Sequence, residues 1–214
     1  MNTKQNNTPF EFGEKSLDMI AYPSKIDVAE GGARSSKSTS MMFKLGLRIN
    51  ASSYNQWFIA ANTSGVARRN LIDNKNGFLD MYRGNARDGK DPKKGNHLIF
   101  TDTNGVEKII YIFGFRDKAR WEAVLGSTLG GGIIDEINTA NQNFIWQVYR
   151  SIISVDDAWL GCTLNPDNPD KEIYDLLINR ARPLKRWVHD IPFEIIQELK
   201  RVKKLRGEGM KSDI

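Results

Sequence analysis

Short apolar runs alternate with amphipathic stretches along most of this chain, which predicts strands and helices in turn. Residues 25–30 (KIDVAE) form a β-prone run, and 56–61 (QWFIAA) is apolar almost throughout, as a strand covered on both faces requires. Two more runs, 97–101 (HLIFT) and 107–114 (EKIIYIFG), flank Asn104-Gly105, a strong hairpin signal. Residues 130–135 (GGGIID) and 158–163 (AWLGCT) predict further strands, and 186–189 (RWVH) a last short one. Helical spacing falls between them. Residues 37–49 carry Met41, Met42, Leu45, Leu47 and Ile49, and 141–153 carry Phe144, Ile145, Val148 and Ile152. Shorter helices are expected over 64–73, 117–125 and 171–180. Residues 84–96 are polar, charged and glycine-rich and read as an exposed loop. From 191 on, Ile195, Leu199, Val202 and Leu205 form one apolar stripe opposite a basic face, with Pro192 in the first turn and Gly207 as the stop. The expectation is an α/β fold: a mainly parallel central sheet flanked by helices, with an added β-hairpin. In such folds ligands bind at the C-terminal ends of the strands.

The chain has 214 residues, 40% hydrophobic and 10% aromatic, which is ordinary for a packed core. The pattern divides it into an N-terminal arm (1–24), a main domain (25–190) and a basic C-terminal helix or linker (191–214). The lone cysteine, Cys162, excludes an intramolecular disulfide and suits a reducing compartment. No apolar run approaches the roughly 18 residues of a membrane span, and the polar start is unlike a secretory signal. The net charge is +5. Residues 180–214 hold ten Lys/Arg and five Asp/Glu, leaving 21 of each in 1–179, so the whole excess lies at the C-terminal end. That end is either a nucleic-acid contact or a solvated charged helix.

Three strand ends carry candidate chemistry. After the run 25–30, Gly31-Gly32-Ala33-Arg34-Ser35-Ser36-Lys37-Ser38-Thr39 matches the phosphate-loop pattern G-x-x-x-x-G-K-[ST], except that Ser36 replaces the second glycine. In such a loop, backbone N–H groups and a helix N-terminus hold phosphates, the lysine reaches the β- and γ-phosphates, and the serine hydroxyl binds Mg²⁺. The alternative is a polar turn before a helix. Ile133-Ile134 run into Asp135-Glu136, an acidic pair suited to orienting Mg²⁺ and polarising water, or alternatively a helix cap. Thr163-Leu164-Asn165-Pro166 ends another apolar strand, beside a γ-phosphate or simply in a turn. All three would converge on one crevice.

With these residues in place the chain resembles the ATPase domain of the large terminase subunit of tailed bacteriophages, over roughly residues 22–190. That family tolerates serine or alanine at the position of Ser36. Its loop arginine usually stands one place earlier than Arg34. The resemblance implies a P-loop NTPase that binds ATP and Mg²⁺ through residues 31–39. Ser38 and Asp135 would hold the metal, partly through water. Lys37 and Arg34 would contact phosphates, Glu136 would be the general base, and Thr163 and Asn165 the coupling motif. It also implies a homo-oligomeric ring on the procapsid in the host bacterial cytoplasm. There it would work with a portal protein and a small terminase subunit to push double-stranded DNA inward; in isolation a monomer is the other expectation. A trans-acting arginine would complete the site. Arg68, Arg69, Arg87, Arg116 and Arg120 are available, with Arg120 favoured for its place shortly before the acidic pair. The acidic pair is used up by the ATPase assignment, so no nuclease activity is expected of this chain.

Two other readings compete: a different P-loop enzyme, helicase-like or a small-molecule kinase, and a non-catalytic nucleotide-binding assembly module. No lid arginine cluster marks a kinase, and Lys37, Ser38, Asp135 and Glu136 together argue against a decayed site. Tyr22, Pro23 and Lys25 are candidates for adenine contacts. His97 and His189 read as structural, and Cys162 as a small core residue. Trp57, Trp121, Trp146, Trp159 and Trp187 read as core or interface.

Overall fold

A computed structural model of the chain describes residues 11–32, 35–168, 170–181 and 191–207. Among these, seven strands form one sheet in the order β1-β7-β6-β2-β5-β4-β3. They are β1 (Ile26–Glu30), β2 (Gln56–Ala61), β3 (Ala86–Asp88), β4 (His97–Thr101), β5 (Glu107–Gly114), β6 (Gly131–Ile134) and β7 (Trp159–Leu164). β1, β7, β6, β2 and β5 run parallel. β4 returns antiparallel to β5, and β3 to β4. The hairpin follows from its turn: the Asp102 carboxylate accepts from the N–H groups of Asn104 and Val106, both at 2.9 Å, and Gly105 takes φ +81°.

Helices cover both faces: α1 (Glu14–Ala21), α2 (Lys37–Ala51), α3 (Ser64–Ala67), α4 (Phe78–Met81), α5 (Lys118–Leu125), α6 (Gln142–Ile153) and α7 (Phe193–Leu205). Alternate residues of a strand face opposite sides, so each strand feeds two cores. Trp57 and Ile59 pack with Met41, Leu45 and Ile49 of α2, and with Ile195 and Val202 of α7. Phe58 and Ala60 pack with Phe113, Phe144, Val148 and Cys162 on the other face. No helix among the described residues is long and apolar enough to cross a membrane.

Several elements depart from the pattern-based expectation. Within 84–96, β3 and a 3₁₀ turn (Pro92–Lys94) replace the exposed loop, because β4 offers an open edge to which even a three-residue strand pairs. The helix expected over 64–73 splits: α3 gives way to a π turn, Arg68–Ile72, closed by Asp73 N–H donating to Arg68 O at 2.8 Å. A second π turn, Tyr174–Ile178, lies in the helix expected over 171–180. The N-terminal arm contains α1, tied to the sheet by a buried ion pair. Lys44 of α2 meets Asp27 of β1 at 2.6 Å and donates to Met19 O and Tyr22 O at 2.7 and 2.8 Å. The short strand expected at 186–189, with Trp187 and His189, lies outside the described residues.

Candidate functional site

The phosphate-loop sequence leaves the C-terminal end of β1, where Gly31 N–H donates to Leu164 O at 3.3 Å. It enters α2, fifteen residues long, whose first-turn N–H groups make an anion-attracting terminus. Ser36, the departure from the pattern, stands at the N-cap in the left-handed conformation, φ 61° and ψ 9°. That dihedral is what the pattern's glycine supplies; a serine holds it at a cost of about 1 kcal/mol. Ser36 O accepts from both the N–H and the hydroxyl of Ser40, at 2.9 Å each, which fixes it there. Lys37 Nζ folds over the loop, donating to Gly31 O (2.5 Å), Gly32 O (2.8 Å) and Ser35 Oγ (3.2 Å). It also reaches across to Asn165 Oδ1 at 3.3 Å. Ser38 and Thr39 occupy the first turn of α2, half-buried. Ala33 and Arg34 lie outside the described residues.

Sheet order brings the other two strand ends alongside. β7 lies between β1 and β6, so the Thr163–Asn165 segment stands between the loop and the acidic pair. Thr163, 1% exposed, donates its hydroxyl to Asp135 Oδ1 at 2.6 Å, and its oxygen accepts Glu136 N–H at 3.2 Å. One hydroxyl thus sets both acids. Asp135 is itself buried, and its second oxygen accepts from the Asn70 amide at 3.2 Å. Glu136 takes a left-handed φ of 53°, which swings its side chain off the strand direction, and its Oε1 accepts from Asn165 Nδ2 at 3.3 Å. Asn165 therefore bridges Lys37 and Glu136 with the two ends of one amide.

Together these groups line a cleft of about 510 Å³: Lys37, Ser38, Asp135, Glu136, Thr163 and Asn165, closed on the far side by Arg69, Asn70 and Asn74 of the π-turn region. Asn70 and Asn74 were not legible as site residues in the sequence. Their signal is the i→i+5 register of the turn, which periodicity does not encode. Among the described residues, no group of three or more His, Cys, Asp or Glu could hold a metal ion. The oxygen donors of Ser38 and Asp135 are few and hard, which suits Mg²⁺, an ion that keeps waters and takes phosphate oxygens alongside one or two protein ligands.

Other predicted residues fall elsewhere. Tyr22, Pro23 and Lys25, the candidates for adenine contacts, sit before the N-terminal end of β1. Lys25 donates to Val155 O at 2.9 Å. Arg120 is held within its own chain, donating to Lys94 O and resting over the Tyr111 ring at 5.7 Å. It lines a second depression of about 370 Å³ with the exposed Arg116. Arg87 pairs with Glu107 at 2.6 Å. His97 is buried, with Nδ1 2.7 Å from Gly95 O, and burial raises the Cys162 thiol far above its ordinary pKa, as structural residues require. Trp57, Trp121 and Trp159 are buried; Trp146 is partly exposed.

No protein-family model and no curated protein matches this sequence. Solved structures do. The large terminase of a thermophilic bacteriophage superposes with a TM-score of 0.69 at 24% identity, over 80% of this chain and 43% of that one. The same terminase in complex with ADP gives 0.64 at 26% identity, over 79% and 42%. The large terminase ATPase domain of Thermus phage P74-26 gives 0.56 at 14% identity, over 95% and 90%. This chain thus spans less than half the length of the first of these terminases, and it has the fold of the phage large-terminase ATPase domain.

Proposed function

We propose, with the large-terminase ATPase fold as premise, that this chain binds ATP with Mg²⁺ in the 510 Å³ cleft and hydrolyses it to move double-stranded DNA into a procapsid. The observation that carries the reading is the bridge from Lys37 through Asn165 to Glu136, with Thr163 setting both acids, at three strand ends in one crevice.

The chemistry follows from what each group can do. N–H groups at the start of α2 and the Lys37 ammonium hold the β- and γ-phosphates. Mg²⁺, when bound, neutralises charge on the phosphate oxygens, and Ser38 and Asp135 are the residues that would hold it. Glu136 accepts the proton of the attacking water as general base. A phosphate entering the cleft competes with four oxygen acceptors for Lys37, one of them Asn165. Asn165 thereby reports phosphate occupancy to the Glu136 carboxylate, which is what a coupling motif must do. Arg34 belongs to this reading as a phosphate contact, and Arg120 as a trans-acting arginine once the Lys94 contact opens. The working form is a homo-oligomeric ring, with a portal protein and a small terminase subunit as partners, in the host bacterial cytoplasm. Nuclease activity is no part of the proposal, because the acidic pair serves the ATP cleft.

Steady-state hydrolysis with and without double-stranded DNA tests it. Glu136→Gln is expected to lower kcat by about 10²–10⁴-fold while nucleotide still binds. Hydrolysis unchanged by Glu136→Gln sinks the base assignment, and hydrolysis indifferent to DNA removes the motor in favour of another P-loop enzyme.

A further inference from the structure

Consecutive arginines on the first π turn are used in different ways. Arg68 is locked: Nε and Nη2 donate to Asp73 at 3.0 and 3.1 Å, and Nη2 also reaches Asp88 at 2.8 Å. Arg69 is exposed, and its guanidinium makes no hydrogen bond or ion pair among the described residues. Yet its backbone is held firmly. Leu71 and Ile72 are fully buried, Asn70 donates to Asp135, and the Asn74 amide closes back on the carbonyls of Asn70 and Arg69. A free cation on a fixed backbone thus lines the cleft that holds Lys37, Asp135 and Glu136.

We infer that Arg69 is a phosphate ligand supplied by the same chain, contacting the terminal phosphate of the nucleoside triphosphate whose other end Lys37 and the loop hold. A guanidinium presents a planar fork of donors matched to phosphate oxygens. Its neighbour Asn70 is bonded to Asp135, so Arg69 stands on the acidic side of the cleft, where the water activated by Glu136 must meet the γ-phosphate. The π register is what makes this possible. The turn commits Asn70 to Asp135 while leaving Arg69 free, and such turns often mark functional positions. The inference rests on the ATP reading of the cleft and adds to it a residue that distinguishes triphosphate from diphosphate.

The test compares the full chain with Arg69→Ala and Arg69→Lys by calorimetric titration of ATPγS and of ADP, each with Mg²⁺. Arg69→Ala is expected to weaken ATPγS about tenfold or more and ADP less than about twofold, with Arg69→Lys in between. Equal weakening of both nucleotides, or of neither, overturns the assignment to the terminal phosphate. The two readings separate cleanly. If the parent chain binds neither nucleotide, the ATP reading falls and takes this one with it. If the parent binds both and Arg69→Ala matches it, only the role of Arg69 falls. Arg69 is exposed, so the melting temperature should hold within about 1 °C, and a larger fall together with equal loss of both nucleotides also counts against it.

Discussion

Ser36 shows how much one side chain can hide. As sequence it is a fault in a phosphate loop; as structure it is a left-handed residue in a glycine's place, held by two bonds from Ser40. Glycine there relieves the left-handed penalty but enlarges the freedom of the unfolded chain. Ser36→Gly is therefore expected to change stability by less than about 1 kcal/mol, in the stabilising direction if either, with nucleotide affinity kept. Chemical denaturation checks it, and a loss of about 2 kcal/mol or more would mean that the hydroxyl, not the dihedral, matters. At this scale the candidate site was largely readable. Lys37, Asp135, Glu136, Thr163 and Asn165 meet as strand-end logic required. What could not be read was who bonds whom. Nothing in the string Asn165-Pro166 says that one amide spans lysine and glutamate, and nothing in Arg68-Arg69-Asn70 says which side chain stays free.

Elements were legible in proportion to their length and burial. β2, β5, α2 and α6 bury continuous or periodic apolar sets and were visible in the pattern. β3 and both π turns were not, because a three-residue edge strand and an i→i+5 register are imposed by neighbours rather than by local periodicity. The segment after β7 illustrates the same dependence. Asp167 is bonded by Lys171 and by the Asn138 amide at 2.8 Å, which latches the residues after β7 to those after the acidic pair. The Lys171 bond, then those from Asn138 and from the Asn168 N–H, hold its carboxyl down to about 2. A depressed carboxyl stabilises the fold above its unfolded pKa, near about 4, and that contribution fades as pH falls through the folded value. The latch should therefore loosen between about pH 4 and pH 2. Lys171→Met should raise the Asp167 midpoint toward the ordinary carboxylate value, readable by NMR titration of the side-chain carboxyl. An unmoved midpoint would assign the depression to the backbone and the Asn138 amide instead.

At the scale of the whole molecule, the question is whether the basic C-terminal segment is a linker or part of the domain. The sequence pattern set it apart from the main domain as a basic helix or linker, although a single apolar stripe on a charged helix can face either a core or nothing. In the structure α7 is docked. Val202 is fully buried and Ile195 nearly so. Arg206 binds Asp80 at 2.6 Å and Asn76 at 2.7 Å, and the Arg201 guanidinium lies 5.7 Å from the Tyr82 ring centre. Asn50 of α2 donates to Glu198 at 3.2 Å, so the helix that starts at the phosphate loop is braced at its other end by α7. The basic residues of α7 are then carried on a docked helix, and charge on that face has a fixed bearing on the cleft. A docked helix and a linker differ in what a buried charge costs. Val202→Asp places an unpaired carboxylate in the core and should cost about 3 kcal/mol or more, lowering the melting temperature by about 6 °C or more. The exposed Lys204→Ala on the same helix should stay within about 0.5 kcal/mol. If both variants melt with the parent chain, α7 is a detached linker, and the brace between the C-terminal segment and the helix that lines the candidate cleft does not exist.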